Sequence, residues 1–214
     1  MLRPTYPLET KRLRLRPLGV DDLESLLEYH SSPDVHRFLP MGPMDANVVE
    51  SRISSGPWSW TTIEDERDAI MLGVELIETG ALIGDVMLAW VSRTHGCGEI
   101  GYVLNPRHAG HGYAAEASNE LLRVGFEDLG LHRVIARVVD GNEASLALAE
   151  RLGMRREAHL VKSWHPWWEG GWMDEIHLAI LRSEWESRAS PPNLRKRAPA
   201  SCLLRSLPRS PSSR

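Results

Sequence analysis

The segment from 107 to 114 has the residue types and spacing of an anion-binding loop. It follows a short apolar run, contains Arg107, Gly110 and Gly112, and leads into a helical pattern. Glycine lacks a Cβ and readily adopts positive φ, so its backbone can approach a ligand closely. Successive backbone N–H groups and the positive end of a helix dipole together favour phosphate. The pattern is neither Walker A nor the dinucleotide-binding glycine motif, and taken alone it predicts either a pyrophosphate cradle or a plain loop.

The other chemistry-bearing residues do not complete a second site in the sequence. His108 and His111 are three residues apart, but no cysteine or carboxylate pattern adds metal ligands, so we expect no metal. Cys97 and Cys202 are too few for a disulfide framework and suit a reducing compartment. The first residues lack the apolar stretch of a secretory signal, and we therefore expect a cytoplasmic protein.

Alternating strand and helix patterns surround the loop and predict a mixed α/β domain. Period-2 alternation indicates a strand around Leu13 and Leu15, and the pair Asp21 and Glu24 is typical of a helix start. Further strands are predicted at about 69–78, 81–91, 98–104, 133–139, 156–166 and 172–182, and helices at about 45–54, 113–128 and 143–152. Thr79-Gly80 suits a two-residue hairpin turn between the first two of these strands.

Charge and composition divide the 214 residues near Glu186. The whole chain has a net charge of −4, but seven basic residues and no acidic one follow Glu186. This leaves 18 basic against 29 acidic residues, a net charge of −11, in residues 1–187. We interpret 1–187 as one folded domain and the Ser/Pro-rich segment 188–214 as a disordered basic tail. The acidic body favours cationic substrates and argues against nucleic acid, and no apolar run is long enough to span a membrane.

Several separated motifs together resemble one known family. Arg107-x-x-Gly110-x-Gly112 resembles the phosphate loop of the GNAT acyltransferases, which bind acetyl-CoA. The resemblance covers roughly residues 7–186. Four further segments resemble the RimJ/RimL branch of this family: Leu8 to Arg16, Leu82-Ile83-Gly84-Asp85, Asn142-x-x-Ser145 before Leu152-Gly153-Met154, and Asp174-Glu175-Ile176 with Leu181 and Glu184-Trp185.

The resemblance implies a GNAT fold, a twisted mixed central sheet with splayed central strands and flanking helices. It also implies an acetyl-CoA-dependent N-acetyltransferase, in which a primary amine attacks the thioester directly in a ternary complex. An N–H group near Val103 would donate to the thioester oxygen. The cofactor-binding residues that it implies are Tyr102, Val103, Leu104, Arg107, His108, Ala109, Gly110, His111, Gly112, Tyr113, Asn142 and Ser145.

Proton transfer in such a reaction requires a base for the amine and an acid for the thiolate. Strand alternation places Glu99 on the face opposite the core-like Ile100, towards the expected acceptor groove, and makes it the candidate base. A solvated strand-end carboxylate is the alternative, and Asp85 and Glu75 on neighbouring strands are rivals. Many family members have a tyrosine acid where this chain has Ala149, whereas RimJ/RimL relatives use a serine that matches Ser145. Helix capping is the alternative role of Asn142 and Ser145.

The sequence leaves the partners open. The amine acceptor is either a small molecule or a protein N-terminus. Trp164, Trp167, Trp168 and Trp172 cluster near one hairpin, where they would line an acceptor groove, form a homodimer contact or pack internally. The alternative function is a non-catalytic CoA-binding interaction module that is tethered by its basic tail.

Overall fold

The computed structural model describes residues 1–166, 168 and 170–189, so Trp167 and the tail from 190 onward lie outside the described residues. Eight strands are β1 Leu8–Glu9, β2 Leu13–Arg16, β3 Ala69–Leu76, β4 Leu82–Ser92, β5 Cys97–Leu104, β6 Arg133–Val139, β7 Arg155–Trp164 and β8 Met173–Leu181. Six α-helices are α1 Leu23–His30, α2 Pro33–His36, α3 Ala46–Ser54, α4 Tyr113–Arg123, α5 Glu143–Arg151 and α6 Arg182–Ala189. These elements confirm the mixed α/β prediction.

The strands form one sheet in the order β1-β2-β3-β4-β5-β6-β8-β7. Every neighbouring pair is antiparallel except β5 with β6, which run parallel. That parallel ladder is short: it joins Cys97 to Arg133, Gly98 to Val134 and Glu99 to Ile135. Beyond these pairs, the carboxyl-terminal halves of β5 and β6 separate and leave a cleft in the middle of the sheet. The splayed central strands are therefore present.

Helices cover both faces of the sheet and enclose two cores. On one face, α4 and α5 bury residues such as Leu121 and Leu146 against the strands. On the other face, α1 and α3 bury Leu26, Tyr29 and Val49. Within the described ranges, none of the helices has the length and apolar character needed to cross a membrane.

Three local predictions differ from the structure. Leu76 N donates to Ala81 O at 2.9 Å, so a four-residue connection replaces the expected two-residue turn at Thr79-Gly80. The helix predicted over 113–128 is α4 followed by a π-helical turn at Val124–Asp128. The motif Glu184-Trp185 lies in α6 rather than in the last strand, because β8 ends at Leu181.

The last helix also extends two residues past the predicted domain boundary at 187. Arg188, on α6, donates hydrogen bonds to the backbone carbonyls of Arg151 and Leu152 at the end of α5. A side chain that satisfies helix-terminal carbonyls contributes to the folded unit. The folded part of the chain therefore includes Arg188.

Candidate active site

Two adjoining cavities occupy the cleft between β5 and β6. The outer one, here called the groove, has a volume of 610 Å³ and runs along β5, the loop before α4, and the first turns of α4 and α5. The second, here called the inner cavity, has a volume of 330 Å³ and lies between β4, β5 and β6. Six residues line both and mark where they meet: Phe38, Leu39, Tyr102, Val103, Asn142 and Ser145.

The glycine-spaced loop has the backbone geometry of an anion cradle. Gly110 has φ +81° and Gly112 has φ +78°, conformations that other residues adopt only with strain. Gly112 is also the residue that caps the N-terminus of α4, so the free N–H groups of that helix begin directly after it. A Cβ added at Gly110 would meet no protein atom within 4 Å. Gly110 also lines the groove, so a ligand in the groove can approach its backbone closely.

A residue that the sequence analysis did not single out, Arg12, fixes this loop. Its Nη1 donates to the carbonyl oxygen of His111 at 3.0 Å, and its guanidinium lies 4.5 Å from the ring centroid of Tyr113. Its Nε pairs with Glu116 of α4 at 2.7 Å. Burial alone would raise the pKa of Glu116. The hydrogen bonds from Thr10 and Arg12 together have the larger effect, so the pKa of Glu116 lies below its usual value. The turn between β1 and β2 thus holds both the loop and the helix that follows it.

Most of the predicted cofactor residues line the groove: Tyr102, Val103, Leu104, His108, Ala109, Gly110, Gly112, Tyr113, Asn142 and Ser145. Arg107 and His111 do not. The side chain of Arg107 is 78% exposed and forms an ion pair with Glu28. His111 Nδ1 donates to Ala109 O at 2.9 Å, which directs the ring along its own loop. In this geometry, the contribution of His111 to the cradle lies in its backbone.

The three carboxylates considered as bases occupy different environments. Glu99 lines the inner cavity, as strand alternation predicts, and its Oε1 accepts from Arg137 Nε at 2.9 Å. That hydrogen bond raises the pKa of Arg137. Asp85 also lines the inner cavity and is 3% exposed. Glu75 is absent from the described linings of both cavities and instead pairs with Arg16 at 2.6 Å.

The N-terminus of α5 closes the junction of the two cavities. Asn142 Oδ1 accepts from Ser145 N at 3.2 Å, so Asn142 caps this helix while its side chain also faces both cavities. The hydroxyl of Tyr102 donates to Ser145 O at 3.1 Å. Burial raises the pKa of Tyr102 to about 12, and this phenol therefore stays protonated at neutral pH. Ala149, which stands where many family members have a tyrosine, is fully buried in the core.

Comparisons with known proteins agree with this architecture. Residues 12–155 match the family model described as an acetyltransferase (GNAT) domain. An uncharacterised N-acetyltransferase of Bacillus subtilis, YnaD, is 30% identical over 83% of this chain and 98% of that protein. The crystal structure of a GNAT-family acetyltransferase from Bacillus anthracis has a TM-score of 0.72 and 31% identity, covering 82% of this chain and 98% of that one.

A further similarity concerns the fold alone. Spermidine N-acetyltransferase from Vibrio cholerae, solved in complex with CoA and spermine, has a TM-score of 0.66 and 23% identity. The superposition covers 83% of this chain and 99% of that one.

Proposed function

This chain belongs to the GNAT acetyltransferase family and is an acyltransferase that uses acetyl-CoA, and we propose that it transfers the acetyl group to a primary amine by direct attack within a ternary complex. The observation that carries the proposal is the meeting of two cavities at Tyr102, Val103, Asn142 and Ser145. One cavity is long and leads past a phosphate-type cradle, and the other is smaller and contains carboxylates. Such a pair suits two substrates that meet end to end.

The groove fits acetyl-CoA by its chemistry. The backbone N–H groups from Ala109 to Tyr113 would bind the pyrophosphate at the positive end of α4. The pantetheine arm would lie along the part of β5 that is not paired with β6, where free backbone groups need partners. This arrangement brings the thioester close to Val103, where an N–H of β5 that does not pair with β4 would stabilise the negative charge that develops on the carbonyl oxygen.

The chain's residues then act on a neutral amine and a thioester. The amine nitrogen forms a bond to the carbonyl carbon, the C–S bond breaks, and the sulfur leaves with its electron pair. The amine must first lose a proton, because a lysine-like ammonium has a pKa near 10.4. Glu99 and Asp85 are the two carboxylates of the inner cavity available for that proton. Ser145, at the junction, is the proposed proton donor to the departing thiolate, and the second proton that the attacking nitrogen loses replaces the one that Ser145 gives up.

The inner cavity indicates what part of an acceptor it takes. The inner cavity is lined by the apolar residues Phe38, Leu39, Pro40, Met71 and Met87 as well as by Glu99 and Asp85. A cationic amine on an apolar stem matches this combination, whether the stem belongs to a small molecule or to a protein N-terminus. The spermidine acetyltransferase with the same fold makes a polyamine one of the natural probes. The RimJ/RimL-like branch, a homodimer and a cytoplasmic location remain predictions from the sequence.

The proposal is tested by incubating the full chain with acetyl-CoA and a panel of amines. Spermidine, 2-phenylethylamine and a short peptide with a free N-terminal serine cover the three acceptor types, and a thiol reagent reports the CoA released. We expect amine-dependent thiol release with at least one of them. Tight binding of acetyl-CoA without amine-dependent release would instead support the non-catalytic CoA-binding module.

The role of Ser145 has its own test. Solvent water can also protonate a thiolate, so we expect Ser145→Ala to lower kcat by less than about tenfold. Ser145→Thr keeps the hydroxyl and the helix cap, and it serves as the matched control. Equal losses in both variants would show that the hydroxyl donates no proton and that packing at the junction explains the effect.

A further inference from the structure

A chain of buried polar side chains runs inward from the wall of the inner cavity. Asp85 Oδ2 accepts from the Tyr29 hydroxyl at 2.9 Å and lies 2.8 Å from His30 Nε2. His30 Nδ1 is 3.1 Å from His36 Nε2, and His36 Nδ1 donates to Met41 O at 2.8 Å. We call Tyr29, His30, His36 and Asp85 the Asp85 network; its members are at most 3% exposed.

Hydrogen positions in this network follow from its inner end. A carbonyl oxygen only accepts, so His36 Nδ1 carries a hydrogen. Burial lowers the pKa of His36, although the bond to Met41 opposes this, and the neutral ring is favoured. Neutral His36 accepts at Nε2, and the Asp85 carboxylate also accepts, so both contacts of His30 require a hydrogen from its ring. A neutral His30 has one N–H and can donate to His36 or to Asp85, so both contacts are hydrogen bonds only when the His30–Asp85 pair holds one further proton.

The network therefore exists in two states that differ by one proton. With the shared proton, every contact from Tyr29 to Met41 O is a hydrogen bond. Without it, the single N–H of neutral His30 serves only one of its two neighbours, and the contact to either Asp85 or His36 is lost. An incomplete buried hydrogen bond is costly, and a network of this kind gains a bond when it takes up a proton.

The sheet register places Asp85 closer to the expected thioester than Glu99. Asp85 on β4 is the direct cross-strand partner of Val103 on β5, and partners on one face have Cα atoms about 4.5–5.5 Å apart. Glu99 is four residues away from Val103 along the same strand, which corresponds to about 13 Å at the usual rise per residue. Both carboxylates lie on the same face, but only Asp85 is level with Val103.

We propose that Asp85 accepts the proton of the acceptor ammonium and that His30 and His36 hold that proton while the amine attacks. The inference rests on the proposed function and assigns its base. An N–H bond of the ammonium breaks, and the proton forms an O–H bond at Asp85 or, across the 2.8 Å contact, an N–H bond at His30. The nitrogen keeps the electron pair and forms the new bond to the thioester carbon.

The surrounding charges enter the pH dependence of this step. From α3, burial lowers the pKa of Arg52, while the charge of Asp85 favours the cation. From the cavity wall, Glu99 and its partner Arg137 face the same space. Tyr29 keeps its hydrogen because burial and the nearby Asp85 hold its pKa well above the usual range. The charges of Glu99 and Arg137 are opposite and adjacent, whereas the polar partners of Asp85 are Tyr29 and His30.

The test compares Asp85→Asn with Glu99→Gln in the full chain, using acetyl-CoA and the panel amine with the fastest thiol release. We expect Asp85→Asn to lower kcat by about 100-fold or more, the usual contribution of a general base, and Glu99→Gln to lower it by less than about tenfold. The Kd for acetyl-CoA, from calorimetry, should stay within about threefold in both. The opposite ranking would overturn the inference and leave the proposed function intact.

Asp22→Asn is the matched control, because Asp22 is a second buried aspartate and lies outside both cavity linings. Its partner is Arg16, at 2.8 Å. A loss of kcat in Asp22→Asn equal to that in Asp85→Asn would reduce Asp85 to a structural role and overturn the inference.

If Asp85→Asn does not fold, His36→Gln replaces it. This variant should displace the rise of kcat/KM with pH between about pH 6 and 9 without changing KM for acetyl-CoA. An unchanged pH profile would overturn the inference, and no thiol release from the native chain would overturn the proposed function itself.

Discussion

Arg12 Nη1 donates a hydrogen bond to the carbonyl oxygen of His111 at 3.0 Å and thereby joins the turn before β2 to the glycine-spaced loop. The same guanidinium pairs with Glu116 on α4. The loop is otherwise exposed, and its glycines allow many conformations in the free state. Holding the loop in one of them reduces the ordering cost of binding a pyrophosphate.

Arg12→Gln should therefore weaken acetyl-CoA binding by about tenfold, since hydrogen bonds from charged groups contribute on the order of 1.5–3 kcal/mol. Turnover at saturating acetyl-CoA should change little, because Arg12 lies outside both cavity linings as described. Arg14→Gln is the control: Arg14 also forms two ion pairs, with Glu9 and Glu75, but it does not contact the loop. Calorimetry that gives equal affinities for the two variants would contradict this role of Arg12.

Gly110→Ala/Gly112→Val tests the cradle itself. Both positions have positive φ, where a side chain costs about 1–3 kcal/mol of strain, and the new groups would also enter the groove at Gly110. We expect the affinity for acetyl-CoA to fall more than tenfold, or about 1.4 kcal/mol. Gly130→Ala provides the control, because Gly130 has φ +74° and open space but lies away from the groove. An unchanged affinity in the double variant would exclude the loop as the pyrophosphate site.

Glu116 should give a pH-dependent contribution to stability. Its folded-state pKa lies below the ordinary value of 4.5, so the unfolded chain binds its proton first as pH falls. The stabilisation is present above 4.5 and disappears as pH falls through the folded-state pKa. Glu116→Gln should lower Tm by about 2–4 °C at neutral pH and by less in acid. A difference in Tm between Glu116→Gln and the native chain that stays the same from neutral to acid pH would contradict this contribution of Glu116.

Two truncations separate the last helix from the basic tail. A chain ending at Ala189 keeps the hydrogen bonds of Arg188 to the carbonyls of α5, and we expect its Tm and thiol release to match the full chain. A chain ending at Ser187 loses them and should melt at a lower temperature. Equal melting of the two truncated chains would show that Arg188 does not contribute. Loss of thiol release in the chain that ends at Ala189 would show that residues 190–214 take part in catalysis.

Local sequence patterns predicted the elements that carry the site. The strand at 133–139 has the bounds expected from its apolar alternation, and the alternation of β5 correctly turns Glu99 towards a cavity. The glycine loop and the start of α4 were predictable for the same reason, because turns and helix ends depend on a few neighbouring residues.

Long-range pairings were not predictable in the same way. Arg12 and Glu116 are 104 residues apart, and Asp85 and His30 are 55 apart, so no spacing in the sequence connects them. His36 lies in a region interrupted by prolines, where periodicity gives no direction to a side chain. The ion pair of Glu99 with Arg137 depends on the parallel register of β5 and β6, which only the assembled sheet fixes.

Analysis of the products by mass spectrometry tests the central claim most directly. The full chain, acetyl-CoA and the best panel amine are reacted until part of the cofactor is consumed, and the acetylated amine, free CoA and intact protein are measured together. Direct attack in a ternary complex predicts one N-acetylated amine for each CoA released and no acetyl group on the protein at any time. CoA released without an acetylated amine, or a protein that carries the acetyl group before the amine is added, would contradict the account.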